Sequence, residues 1–213
     1  MKIYKFEFNQ ISENTYLVYD ETNKAVIIDC GVFFPEEKMQ LQQFIEKNNL
    51  SLTRLLNTHL HLDHAFGNRF IYETYDILPE YNSLEESMPC LKDQARNFNI
   101  MINDPDVRAT NHIDDGDIIT VGSIRLKALL IPGHSPGSLC FYSEEGACVF
   151  TGDVLFKGSI GRSDLWGGDM NQLISGIAEK LLTLPDDTVV YSGHGPSSTI
   201  GDEKRNNPYL RNI

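Results

Sequence analysis

Basic residues are scarce in this chain. Eighteen lysines and arginines stand against thirty aspartates and glutamates, a formal net charge of -12 over 213 residues. A field of that sign repels polyanions, so the bulk charge argues against nucleic acid and anionic membrane as partners. Long hydrophobic runs are also missing. No stretch of 18 apolar residues occurs, so no membrane span is expected. The opening MKIYKFEF alternates bulk and charge and lacks the apolar centre of a signal peptide. Cysteine is sparse and dispersed: Cys30, Cys90, Cys140 and Cys148 contain no C-x-x-C pair. They are expected to be reduced thiols of a cytoplasmic protein rather than a disulfide framework. Fixed-period repeats and low-complexity linkers are absent too, so one domain spanning residues 1–213 is expected.

Apolar patterning supplies the elements. Residues 2–8 and 15–19 alternate, and 25–28 form a short apolar run stopped by Asp29-Cys30-Gly31, so three strands are expected first. Residues 35–47 carry a helical stripe with Pro35 near its start. A strand follows at 52–56, then helices over 65–78 and 84–98 punctuated by Pro79 and Pro89. Strands are expected at 118–121, 124–131, 139–143 and 147–151, a helix over 171–182, and a last strand at 188–191. The tail beyond residue 195 reads as loop with one short helical turn. Strands in runs separated by single helices indicate two sheets with helices outside them, not regular βαβα winding.

The chemistry concentrates in Thr58-His59-Leu60-His61-Leu62-Asp63-His64. Imidazoles crowded this way repel when protonated and pack poorly when neutral. A borderline-soft divalent metal removes both objections. In extended chain His59 and His61 share a face and suit one ion. A turn into helix at Ala65-Phe66-Gly67 directs Asp63 and His64 toward a second. Three more donors follow apolar strands: His134 after Pro132-Gly133, Asp153 after Thr151-Gly152, and His194 after Ser192-Gly193. Strand carboxyl ends are where α/β proteins gather ligands. Seven donors exceed the four of one tetrahedral ion. The reading is therefore two ions, with His59, His61 and His134 on the first, Asp63, His64 and His194 on the second, and Asp153 bridging. A hydroxide held between them is a nucleophile near neutral pH. His112, alone in Asn-His-Ile, reads as structural.

Through THLHLDH at 58–64, PGHSPGS at 132–138, TGDVLF at 151–156 and SGHGP at 192–196, the sequence resembles the metallo-β-lactamase-fold hydrolases. The resemblance implies an α/β fold, an αββα four-layer sandwich of two mixed β-sheets with a dinuclear metal site. GSIGR at 158–162 and TIGDEKRNNP at 199–208 are most similar to the glyoxalase II-like hydroxyacylglutathione hydrolases. In that family the seven residues match the metal ligands, and Asp29 matches an aspartate supporting the ligand loop. Only 19 residues follow His194, so the chain resembles the short type without a C-terminal helical glutathione-binding domain.

The resemblance implies hydrolysis of a small anionic thioester with two divalent ions, Zn2+ first and Fe or Mn as alternatives. Asp63, or the bridging position, is expected to handle the proton, and no Ser or Cys nucleophile is needed. Lys157 and Arg162 are the basic residues expected to meet a substrate carboxylate. Phe33, Phe34 and Trp166 are candidates for an apolar lip. The rival is a mononuclear iron persulfide dioxygenase using His59, His134 and Asp153 as a facial triad.

Overall fold

The structure, a computed structural model, describes residues 1–102 and 106–211. These residues fall into two compact units. The first comprises Met1–Tyr81, Pro89–His112 and Thr120–Ile124; the second comprises Asn82–Met88, Ile113–Ile119 and the chain from Arg125 onward.

In the first unit, β1 (Lys2–Phe8) and β2 (Glu13–Tyr19) pair antiparallel, with Phe8 opposite Glu13. β2 starts two residues before the alternation predicts, because its first buried residues, Glu13 and Asn14, are polar. β3 (Lys24–Ile28) adds antiparallel to β2, and β4 (Ser51–Leu56) adds parallel to β3. A parallel pair needs a crossover, here α1 (Pro35–Lys47), whose limits are those predicted. Pro35 occupies the first turn, where its missing N–H costs nothing. The Glu37 carboxylate accepts the N–H groups of Phe33, Phe34 and Asn9. Leu41 and Ile45 of α1 pack on Phe6, Phe8, Leu17, Ala25, Ile27 and Leu55. Val26 and Ile28, on the opposite face, are also buried. β3 is thus covered on both faces and reads as an unbroken apolar run.

The helix expected over 65–78 is two helices. α2 (Leu62–Ala65) begins earlier, and α3 (Asn68–Tyr75) ends where Asp76 turns left-handed at φ 56°. They part at Phe66-Gly67, where a side chain on residue 67 would lie 2.3 Å from Cys30 Sγ. β5 (Pro79–Glu80) completes the sheet, parallel to β4, in the order β1-β2-β3-β4-β5. The expected helix over 84–98 is broken as well, into a 3-10 turn at Ser83–Ser87 and α4 (Leu91–Asn97). Pro89, which lacks an N–H and disfavours helix before it, lies in the break.

The second sheet contains β6 (Ile118–Val121), β7 (Ile124–Leu130), β8 (Leu139–Ser143) and β9 (Cys148–Gly152). After β9 comes a small hairpin, β10 (Leu155–Phe156) with β11 (Ser159–Ile160). α5 (Met170–Gly176) follows and runs into a π-helical turn at Ile177–Leu181. β12 (Val189–Ser192) then lies parallel to β9, and β13 (Ser198–Thr199) antiparallel to β12. The order is β13-β12-β9-β8-β7-β6, so this sheet too is mixed. Leu173, Ile177 and Leu181 pack on Leu129, Ile131, Cys140, Val149 and Val190.

The tail is more ordered than expected. α6 (Ile200–Asn206) runs for seven residues, with the Thr199 hydroxyl capping Asp202 N–H. All four cysteines are free; Cys30, Cys140 and Cys148 are buried. Burial pushes the Cys148 thiol up to about 12. Among the described residues no helix is long and apolar enough to cross a membrane.

Candidate metal centre

Four apolar strands end just before the predicted donors: β4 at Leu56, β7 at Leu130, β9 at Gly152 and β12 at Ser192. The first unit collects His59, His61, Asp63 and His64. The His59 ring lies 4.7 Å from that of His61 and 4.2 Å from that of His64, centroid to centroid. All four residues are buried. Asp63 and His64 sit within α2 rather than before a helix starting at Ala65, because the helix begins three residues earlier than expected. The side chain of Gln94 accepts Leu62 N–H and donates to the carbonyls of Leu60 and Pro89, tying the ligand loop to α4.

Asp29 organises this half. Its carboxylate accepts Thr58 N–H and the Thr58 hydroxyl at 2.7 Å each, and His64 Nδ1–H at 2.9 Å. A hydroxyl has one proton, and Thr58 gives it to Asp29. Its oxygen therefore accepts from His59 Nδ1, 3.0 Å away. Both rings carry their proton on Nδ1 and present Nε2, the tautomer a neutral imidazole ligand needs.

The second unit collects His134, Asp153 and His194. Nε2 of His134 and Nε2 of His194 each lie 3.7 Å from the same oxygen, Asp153 Oδ2. In the first unit His64 Nε2 stands 3.6 Å from Asp63 Oδ2. These spacings are long for hydrogen bonds. They are close to the roughly 3.4 Å separating two ligand atoms on one tetrahedral ion. The donor sets thus fit divalent metal, and one carboxylate oxygen shared by two imidazoles suits a bridging ligand. His134 Nδ1–H donates to the Arg162 carbonyl at 2.8 Å, fixing a third tautomer. Its loop is held from beneath, where Gly137 N–H donates to the buried Glu85 carboxylate at 2.6 Å.

The Arg162 guanidinium is exposed and grips Asp164 through two bonds, 2.7 and 2.8 Å. That pairing lowers the Asp164 carboxyl to about 2. Lys157 is exposed between β10 and β11. Phe33 packs on Phe34 and Phe66, and Trp166 is 61% exposed. His112 is exposed, against Tyr81. Gln94, Glu85 and the Arg162 carbonyl escape sequence reading, because a distant amide, a distant carboxyl and a backbone oxygen carry no motif.

Histidines tied at Nδ1 to oxygen acceptors, with carboxylates at the ends of α/β strands, define a divalent-metal centre. The chain belongs to the metallo-β-lactamase superfamily, whose profile matches residues 9–194, and so to a family of metallo-hydrolases. That span includes all seven donors and parts of both units. The chain is 39% identical to the hydroxyacylglutathione hydrolase GloC of Haemophilus influenzae, over 93% of this chain and 92% of that protein. It is 36% identical to the probable metallo-hydrolase YqgX of Bacillus subtilis, over 99% and 98%. The crystal structure of TTHA1623 in a di-iron-bound form superposes with a TM-score of 0.85 at 34% identity, covering 97% of this chain and all of that one. The expected α/β fold of two mixed sheets with helices, and the family resemblance, are borne out.

Proposed function

We propose that the chain is a dinuclear metal hydrolase of small anionic thioesters, of the hydroxyacylglutathione class. The observation that carries this reading is the seven-donor His and Asp set, in a chain 39% identical to a hydroxyacylglutathione hydrolase. His59, His61 and His134 would hold one ion, Asp63, His64 and His194 the other, with Asp153 shared. Two divalent ions, zinc in the first instance and iron or manganese as alternatives, would supply Lewis-acid polarisation and acidify water at neutral pH.

The chain's own groups do the rest. Asp29, Thr58 and the Arg162 carbonyl hold three imidazoles as Nε2 donors. Arg162 and Lys157 draw the substrate's carboxylate. Water adds to the thioester carbonyl carbon and the C–S bond breaks. Asp63 takes a proton from the water and returns it to the thiolate sulfur, releasing free thiol.

The test is metal analysis of protein purified without added metal, followed by a thioester panel that includes lactoylglutathione. The expected result is two ions per chain and thiol release that falls to background in His61→Ala and Asp153→Ala. One iron per chain with oxygen uptake on glutathione persulfide, and no thiol release from any thioester, would overturn it in favour of a dioxygenase.

A further inference from the structure

Glu13 is a buried carboxyl that the hydrolysis reading leaves unused. It opens β2, is inaccessible to solvent, and its Oε1 has no hydrogen-bond partner among the described residues. Burial pushes its pKa well up from the ordinary carboxyl value. Taking a carboxyl out of water is costly, and packing alone would be served better by an apolar residue.

Its surroundings point to a purpose. Glu13 Oε2 accepts the Thr15 hydroxyl at 2.7 Å, and the Thr15 oxygen accepts Gly31 N–H at 2.9 Å. Gly31 O in turn accepts Asn9 Nδ2 at 2.9 Å. The carboxyl lies flat against that backbone: a side chain at position 31 would meet Glu13 Oε2 at 2.0 Å. Two residues earlier, Asp29 is left-handed at φ 54°. For a residue other than glycine this conformation is uncommon, and it is kept where neighbours hold it. Asp29 N–H donates to Leu56 O, and Cys30 N–H donates to His64 O. The Glu13–Thr15 pair grips the far end of the same turn. Glu13, Asp29 and His64 also offer polar atoms within 4.8 Å of one another.

We propose that Glu13 is a positioning residue: through Thr15 it clamps the Asp29–Gly31 turn and so sets the angle at which Asp29 holds His64 Nδ1. The clamp rests on His64 being a metal ligand, and not on the thioester.

The test is Co2+ titration of the metal-free full chain, read by visible absorption and followed in parallel by circular dichroism. Glu13→Ala and Thr15→Val should fold. They should bind one of two cobalt ions about 10- to 100-fold more weakly, with a changed spectrum. Glu13→Gln, which keeps an oxygen for Thr15, should stay within about threefold of the parent. The clamp is overturned if Thr15→Val and Glu13→Ala bind both ions with parental affinity and spectrum. It is overturned equally if Glu13→Gln is as impaired as Glu13→Ala, or if the parent takes up no cobalt. Should Glu13→Ala fail to fold, Thr15→Val decides alone. A parent that binds two cobalt ions but cleaves no thioester sinks the proposed function, while the variant comparison still decides the clamp.

Discussion

His134 donates its Nδ1 proton to the main-chain oxygen of Arg162, 2.8 Å away and 28 positions later in the chain. A residue expected to serve through its guanidinium thus also serves through its backbone. The two roles separate by mutation. Arg162→Ala keeps the carbonyl, so metal content should be unchanged. KM for an anionic thioester should rise about 10-fold, the worth of one charge-assisted hydrogen bond, with kcat little affected. Steady-state kinetics with metal analysis check both halves.

Gly161→Val should do the opposite. A side chain there would begin 2.0 Å from Asp153 O and 3.1 Å from His134 Nδ1. Backbone cannot yield cheaply at the first contact, so the variant should lose metal and kcat together. Metal stoichiometry after dialysis is the measurement.

Glu203 is the strut of the second unit. Its buried carboxylate accepts the Ser198 hydroxyl, Gly158 N–H and Asn207 Nδ2, and Asn207 Nδ2 also donates to Ser159 O. These bonds tie the β10–β11 hairpin to α6. Glu203→Ala strands buried donors and should cost about 1–3 kcal/mol. Urea unfolding of the metal-free protein measures it.

Asp20 predicts a pH dependence. Its carboxylate accepts the Thr22 hydroxyl and N–H together with the Ser123 N–H and hydroxyl. Led by the Thr22 hydroxyl, these bonds lower its pKa in the folded state. A group depressed on folding stabilises above its unfolded pKa, and that contribution is lost as pH falls through the folded value. Stability should therefore drop below about pH 4, and Asp20→Asn should flatten that part of the curve. Unfolding midpoints between neutral and strongly acid pH, for parent and variant, provide the check.

Metal removal should lower the melting temperature. Ligands that bind only the folded chain stabilise it by about 2.7 kcal/mol at a hundredfold excess over Kd. Chelator should thus lower Tm by several degrees, and added Zn2+ should restore it. Scanning calorimetry with and without chelator reads the shift.

The strands and their ends were legible because burial leaves a period-two or unbroken apolar signature, as in β1, β3 and β7. Of the predicted donors, His59, His134, Asp153 and His194 closely follow such ends, whereas Asp63 and His64 lie within α2. β2 lost its first residues because Glu13 and Asn14 are buried polar groups, which alternation counts as outside. The helix expected over 65–78 failed at Gly67, whose reason is Cys30, 37 positions away in sequence. The supports at Glu13, Gln94, Glu85 and the Arg162 carbonyl were invisible for the same reason. Each acts across sequence distance, through an atom that no spacing marks.

The two parallel pairings have a consequence for the order of folding. β3 ends at Ile28 and meets β4 only from Ser51; β9 ends at Gly152 and meets β12 only from Val189. The hairpins β1–β2 and β8–β9 close over short turns. Non-local pairings carry the larger loop-closure cost and form more slowly. The strand ends that precede His59 and His194 therefore depend on the costlier pairings, whereas the one that precedes Asp153 belongs to a local hairpin. In the second unit, His194 joins His134 and Asp153 only when the crossover from β9 to β12 closes.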